Sequence, residues 1–298
     1  MRSKKQNLDI TLNSAFHNLN PKIQLYINDV ITILGIYITF ENIISIFLFG
    51  SQTRRTKAPV ADCDLLIIVK DSTPQKRINQ SKKYLLALEI KYGFLKGKPN
   101  IFNQILFAIQ RTTGMFVSHF ITEKNDFIQA KFHKIFSVNY VISKILAPIK
   151  LVLLNMIDNS MILYGVDLRP RIRDHLCGTS LIVNIFKSLV MNLAISMSSI
   201  LLLPFKELNP IKYSLESVKW SIKSINYFLF HDSKPLDQVI ERFKLLSKSV
   251  HQKSNTELFL KQFLYLRHNP IENIGFMLGS PKKILKLHVL ALQNSKGS

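Results

Sequence analysis

The sequence predicts an α/β (α+β) domain built on a small mixed sheet, followed by an all-α domain. Short β-branched and aromatic runs, each stopped by a glycine or a polar residue, occur only before about residue 170. From about 172 onward those signals vanish, and apolar-periodic stretches follow at 176–203, 210–230, 235–250 and 255–266. Pro204, Pro210, Pro235 and Pro270 punctuate them. The polar joint Arg169-Pro-Arg-Ile-Arg-Asp separates the two regions, giving domains 1–170 and 171–298.

The elements follow in order. Asn20 as N-cap and Pro21 at the first helical position open a helix over 20–34. Residues 43–49, Ile-Ile-Ser-Ile-Phe-Leu-Phe, read as a buried strand ending at Gly50, and 63–69, Cys-Asp-Leu-Leu-Ile-Ile-Val, as a second one beyond a polar, basic loop. Asp71-Ser-Thr-Pro starts a helix to about Tyr92, with Ile78, Leu85, Leu88 and Tyr92 on one face. Its basic residues (Lys76, Arg77, Lys82, Lys83 and Lys91, then Lys96 and Lys98) are opposed only by Glu89. A helix over 100–112, a third strand over 115–122, a helix over 144–159 with Pro148 in its first turn, and a strand 161–165 ending at Gly165 complete the first half.

Composition excludes several classes. The chain has 298 residues, 47% of them hydrophobic, with only 10 Gly and 11 Pro, which argues against disorder. Cys63 and Cys177 are the only cysteines, so neither a disulfide scaffold nor a four-cysteine metal site is available. The start, Met1-Arg-Ser-Lys-Lys, is basic, but Asp9, Asn13 and His17 interrupt the apolar stretch that a signal peptide needs, so a cytoplasmic location is expected. The apolar run 188–205 carries no charge, yet it contains Asn192, Ser196, Ser198 and Ser199 and is broken by Pro204. It reads as a buried core helix, and no stable membrane association is expected. Forty Lys+Arg against 19 Asp+Glu give a net charge of +21, which points to a polyanionic partner, nucleic acid or an anionic membrane surface.

The chemistry concentrates in Gly50-Ser51 and Asp62-Cys63-Asp64. Side chains alternate along a strand, so Asp62 and Asp64 share one face and Cys63 takes the other. Two carboxylates side by side repel unless a cation sits between them, and such oxygen ligands suit Mg²⁺ or Mn²⁺. Glycine after a strand lets the backbone approach a phosphate, and serine adds a hydroxyl and an amide.

An apolar strand, Gly-Ser, about ten residues, then Asp-x-Asp-Leu opening another apolar strand resembles the nucleotidyltransferase superfamily that includes DNA polymerase beta, in particular its minimal members. Gly50, Ser51, Asp62, Asp64 and Leu65 fall in register, and Arg54 matches an arginine often found in that loop. The resemblance implies an enzyme that moves a nucleoside monophosphate from an NTP, expected to be ATP, to a hydroxyl acceptor. Asp62 and Asp64 would hold Mg²⁺, Gly50 and Ser51 the phosphates, and Arg54, Arg55 and Lys57 the charge of the leaving group. Arg55 departs from a position that is commonly glycine. The family's third carboxylate is expected on a later strand; Asp126 is the candidate, with Glu123 next, since 115–122 centres on Ser118-His119. His119 could serve as a base, but a lone histidine on an apolar strand is more often a satisfied core residue.

A weaker resemblance links the second half to HEPN-like helical partner domains. Their Arg…His ribonuclease spacing is missing: Arg173/His175 and Arg267/His268 are too close, and Arg242/His251 too far apart. Tyr213, Trp220 and Tyr227 read as core. The excess positive charge favours RNA as acceptor. Two alternatives stay open, a small-molecule (antibiotic-like) nucleotidyltransferase and an inactive binding or antitoxin-like protein of the same fold, and so does an oligomeric state.

Overall fold

The computed structural model describes residues 12–53, 63–94, 118–178, 180–205, 208–246 and 250–295. The expected helix at 100–112 lies outside them. Among the described residues the chain forms one four-stranded mixed sheet and twelve α-helices, in agreement with the expected α+β class. It divides into two compact units. The first contains the described residues up to 94 with 118–137 and 159–175; the second contains 138–158 and the chain from 176 on.

In the first unit the strand order is β3-β2-β1-β4, where β1 is Ile43–Phe49, β2 Asp64–Val69, β3 His119–Glu123 and β4 Met161–Gly165. β1 is antiparallel to both neighbours, pairing Ile46 with Ile67 and Phe49 with Asp64 on one side and Ser45 with Gly165 on the other. β3 runs parallel to β2, with Leu65 beside His119 and Val69 beside Glu123. Gly165 is required where β4 ends: its φ is +81°, and a Cβ there would lie 1.9 Å from the Ile44 carbonyl oxygen.

Alternation assigns the two faces of the sheet. Ile46, Leu48, Leu65, Ile67 and Val69 pack into one core with Ile23, Tyr26, Ile27, Val30 and Leu34 of α1 (Pro21–Tyr37) and Ile78, Leu85 and Leu88 of α2 (Gln75–Lys91). Each such side chain contributes about 1.5–3 kcal/mol of burial free energy. α1 begins as its sequence indicates, with Asn20 Oδ1 accepting from Lys22 N at 2.9 Å and Pro21 first in the helix. The opposite face is aromatic. Phe47 stacks near Phe127 of α3 (Lys124–Ile128), Phe49 lies beside Phe120, and Phe136 joins Phe120 to Phe132 of α4 (Phe132–Ile135).

The second unit is helical. The expected helix 144–159 is instead a pair, α5 (Tyr140–Leu146) and α6 (Ile149–Asp158), bent by 91°. The Asn139 side chain caps α5, and Pro148 forces the break because it cannot donate into the preceding turn. After α7 (Arg169–Leu176, which belongs to the first unit through His175) come α8 (Leu181–Leu201), α9 (Ile211–Phe230), α10 (Leu236–Leu246), α11 (Val250–His268) and α12 (Ile274–Ser295). α12 has no counterpart among the stretches read from the sequence, and it runs through Pro281. Tyr213 and Tyr227 are buried, as read.

α8 corrects another expectation. It starts at Leu181 and ends before Pro204, and its buried face carries Asn184, Ser188, Asn192, Ser196 and Ser199. Ser199 Oγ and Ser214 Oγ of α9 are 2.6 Å apart within this polar seam. Only 39% of its most apolar 18-residue window is buried, so the core-helix reading holds for one face alone. Among the described residues α8 is the single helix long and apolar enough to cross a membrane; the bent pair α5 and α6 passes the same test only when taken as one span.

α12 also carries a pH-sensitive residue. His288 is buried, its Nδ1 lies 3.0 Å from the Ile284 carbonyl oxygen, and Nε2 has no hydrogen-bond partner. Burial pushes its pKa down to about 4, only partly opposed by the Ile284 carbonyl. The folded value lies below that of the unfolded chain, so this stabilisation is complete above about pH 6.5 and is lost as pH falls toward 4, by about 3 kcal/mol in all. Urea unfolding between pH 7.5 and 4.5 should show that slope in the native protein and a shallower one in His288→Leu.

Candidate functional site

The site grows from the paired ends of β1 and β2. β1 is apolar and buried along nearly its whole length, and it stops at Gly50, whose φ is +80°. The chain then turns tightly over Gly50–Thr53, closed by the Thr53 hydroxyl donating to the Gly50 carbonyl at 3.0 Å. β2 starts at Asp64, directly across from Phe49. The half-buried Asp64 carboxylate therefore lies against the glycine: a Cβ on Gly50 would meet Asp64 Oδ2 at 2.2 Å and Cγ at 3.1 Å. Gly50 is needed both for its positive φ and for the space the carboxylate fills.

No family model and no curated protein matches this sequence. Among solved structures the chain is similar to a spectinomycin adenyltransferase from Enterococcus faecialis, crystallised with ATP and spectinomycin. The TM-score is 0.48 at 14% identity, over 90% of this chain and 98% of that one.

The remaining sequence candidates divide sharply. Gly50, the Ser51 backbone and Asp64 come together at one end of the sheet. Asp62, Arg54, Arg55 and Lys57 lie outside the described residues. Asp126 does not join the site, and neither does Glu123. Because β3 is parallel to β2, Glu123 lies beside Val69, five residues along β2 from Asp64, or about 16 Å at strand rise. Asp126 lies beyond it in α3 and pairs with Lys131 Nζ at 2.9 Å, while Asp71 Oδ1 accepts from Asn125 N at 2.9 Å and anchors that far end. The third carboxylate assigned to Asp126 is therefore corrected: what lies abreast of Asp64, just before β3, is Ser118, whose carbonyl accepts from Leu65 N at 2.7 Å.

His119 is not a free base at this site. It aligns with Leu65 and so projects to the helical side of the sheet, away from Asp64. There both ring nitrogens are engaged, Nδ1 with Glu89 Oε1 of α2 at 2.5 Å and Nε2 with the Tyr26 hydroxyl of α1. Burial first, and then the Glu89 charge, pushes the Tyr26 pKa up, so the phenol keeps its proton and donates it to Nε2. The arrangement is a satisfied core triad.

Arg169, from the polar joint of the sequence, reaches Asp64's face of the sheet. Its guanidinium lies 5.9 Å from the centroid of Phe47, which shares Asp64's face of the sheet. Asp167 orients it through bonds of 2.8 Å to Nε and 2.7 Å to Nη2, and the pair holds the Asp167 carboxyl below its ordinary range.

Among the described residues no three His, Cys, Asp or Glu side chains form a metal-ligand group. Asp64 contributes one carboxylate, seated where glycine leaves room for it. As a hard oxygen donor it fits Mg²⁺, with Asp62 two residues earlier in the chain as its natural complement.

Proposed function

We propose that the first unit is a nucleotidyltransferase that moves a nucleoside monophosphate from an NTP, ATP by preference, to a hydroxyl of an RNA acceptor. The observation that carries this reading is the Asp64 carboxylate resting on the Gly50 turn. It sets the glycine of the Gly-Ser turn against the second aspartate of the Asp-x-Asp pair.

Asp62 and Asp64 would hold Mg²⁺, which when bound supplies charge neutralisation at the phosphates. The Gly50–Gln52 amides and the Ser51 hydroxyl bind the β- and γ-phosphates. Arg54, Arg55 and Lys57 neutralise charge that grows on the leaving group. The acceptor oxygen bonds to the α-phosphorus as the bond to the α–β bridging oxygen breaks. Pyrophosphate leaves, and the hydroxyl proton is released.

RNA as acceptor rests on charge. The chain carries +21, and on α2 Lys76, Arg77, Lys83 and Lys91 are exposed while the helix's one acid, Glu89, is buried. A second reading, an inactive nucleotide-binding protein of the same fold, is favoured by Ser118 standing abreast of Asp64 where a third carboxylate was expected.

The test is incubation of the full chain with α-labelled NTPs and Mg²⁺, together with total RNA, a panel of small hydroxylated molecules, or neither. Label on RNA is the expected result. Label on a small molecule moves the acceptor to the other class, and NTP binding without any transfer establishes the inactive reading.

A further inference from the structure

We propose that α8 seats the helical unit on an anionic membrane surface, lying flat in the interface instead of crossing it. This inference is independent of nucleotidyl transfer. It rests on how α8 distributes its residues. Ile182, Val183, Phe186, Val190, Met197 and Leu201 are all exposed, Phe186 at 61% and Leu201 at 75%. At helical spacing they fall within a stripe about 100° wide, running along a helix about 30 Å long. The opposite side, turned into the protein, holds Asn184, Ser188, Asn192, Ser196 and Ser199 beside Ile185, Leu189 and Ile195.

A water-facing helix of a globular protein has the reverse arrangement, polar outward and apolar inward. Here the inward side holds the polar residues, Asn184 Oδ1 accepting from Lys150 N of α6 at 2.9 Å and Ser199 meeting Ser214 of α9, while the longest run of apolar side chains faces out. The exposed stripe amounts to on the order of 700 Å², above the few hundred that a soluble monomer ordinarily shows as one patch. α5 extends it. Lys187 Nζ of α8 donates to the Lys144 carbonyl of α5, which brings α5 alongside, and Tyr140, Val141 and Ile145 of α5 are exposed as well.

Charge selects the occupant. The described charged groups on α5, α6 and α8 are Lys144, Lys150 and Lys187 against a single acid, Asp158 at the end of α6. A second copy would bring another +21 toward the same face, whereas anionic lipid headgroups attract those lysines while the acyl boundary takes up the stripe. The polar side of α8 stays packed on α9, so the helix is bound edgewise and does not enter the bilayer core as a span.

The test is co-sedimentation of the full chain with phosphatidylcholine vesicles, with or without about 30 mol % phosphatidylglycerol. The native chain should pellet with the anionic vesicles and much less with the neutral ones. The Phe186→Glu, Leu201→Glu double variant changes only exposed positions and should weaken binding at least about tenfold. If circular dichroism shows that pair to be unfolded, Phe186→Ser with Leu201→Ser takes its place. Three results overturn the proposal. The native chain stays in the supernatant with both vesicles; the variant pellets as well as the native chain, leaving charge alone as the cause; or light scattering finds a native dimer that the variant dissolves while neither binds vesicles, which makes the stripe a self-interface.

Discussion

Asp64→Asn is expected to reduce nucleotidyl transfer at least about a thousandfold while leaving the fold in place. The carboxylate occupies the pocket above Gly50 at the open end of the strand pair, and the isosteric amide fills the same space without the charge. The change is measured as label transferred per minute, with unfolding followed separately by urea titration. A variant that transfers label within tenfold of the native rate places the chemistry elsewhere. Asp62→Asn should behave alike.

Gly50→Ala distinguishes charge from geometry at the same place. The added Cβ would meet the Asp64 carboxylate, and alanine resists a φ of +80°, so this variant should lose both activity and stability, where Asp64→Asn loses activity alone. The contrast between the two separates a functional aspartate from one that merely caps a turn.

Much of the fold is legible in the sequence, and the reasons are local. Runs such as Ile43–Phe49 announce themselves through β-branching and a terminal glycine, and Asn20-Pro21 carries its own capping chemistry. Gly50 meets Asp64 because one half of the motif closes β1, the other opens β2, and the two strands are antiparallel. What failed was non-local. Placing Asp126 at the site presumed that the end of β3 returns to Asp64, and only strand direction decides that. A hint was present: the connection from β2 to β3 contains α2, and a crossover that long favours parallel pairing. That would have put the start of β3, not its end, beside Asp64. α8 misled for a related reason, since an apolar composition does not reveal which face a helix buries. α12 lies beyond the last apolar stretch read in the sequence, and it stays helical through Pro281, a residue that ordinarily interrupts a helix.

The largest effect on stability is expected at Glu89, in sequence the lone acid among the basic residues of α2. Glu89→Ala should cost about 3–5 kcal/mol, read as a lower urea midpoint with an unchanged slope. The carboxylate is buried at the foot of α2 and receives His119 Nδ1, while the Tyr26 hydroxyl serves the other ring nitrogen. Removing one member leaves a buried donor unsatisfied and opens a cavity between both helices and β3. Glu89→Gln keeps an acceptor oxygen at the same position and should lose less than half as much. Tyr26→Phe removes a single hydroxyl and should cost about 1–2 kcal/mol. The order Ala, Gln, native separates a hydrogen-bonded core from a general acid–base pair, because catalysis through His119 would show Tyr26→Phe or Glu89→Gln losing activity without comparable loss of stability. The geometry favours the core: His119 shares the helical side of the sheet with Leu65, so its contribution to any reaction passes through the position of β3 against β2, and thus through Asp64.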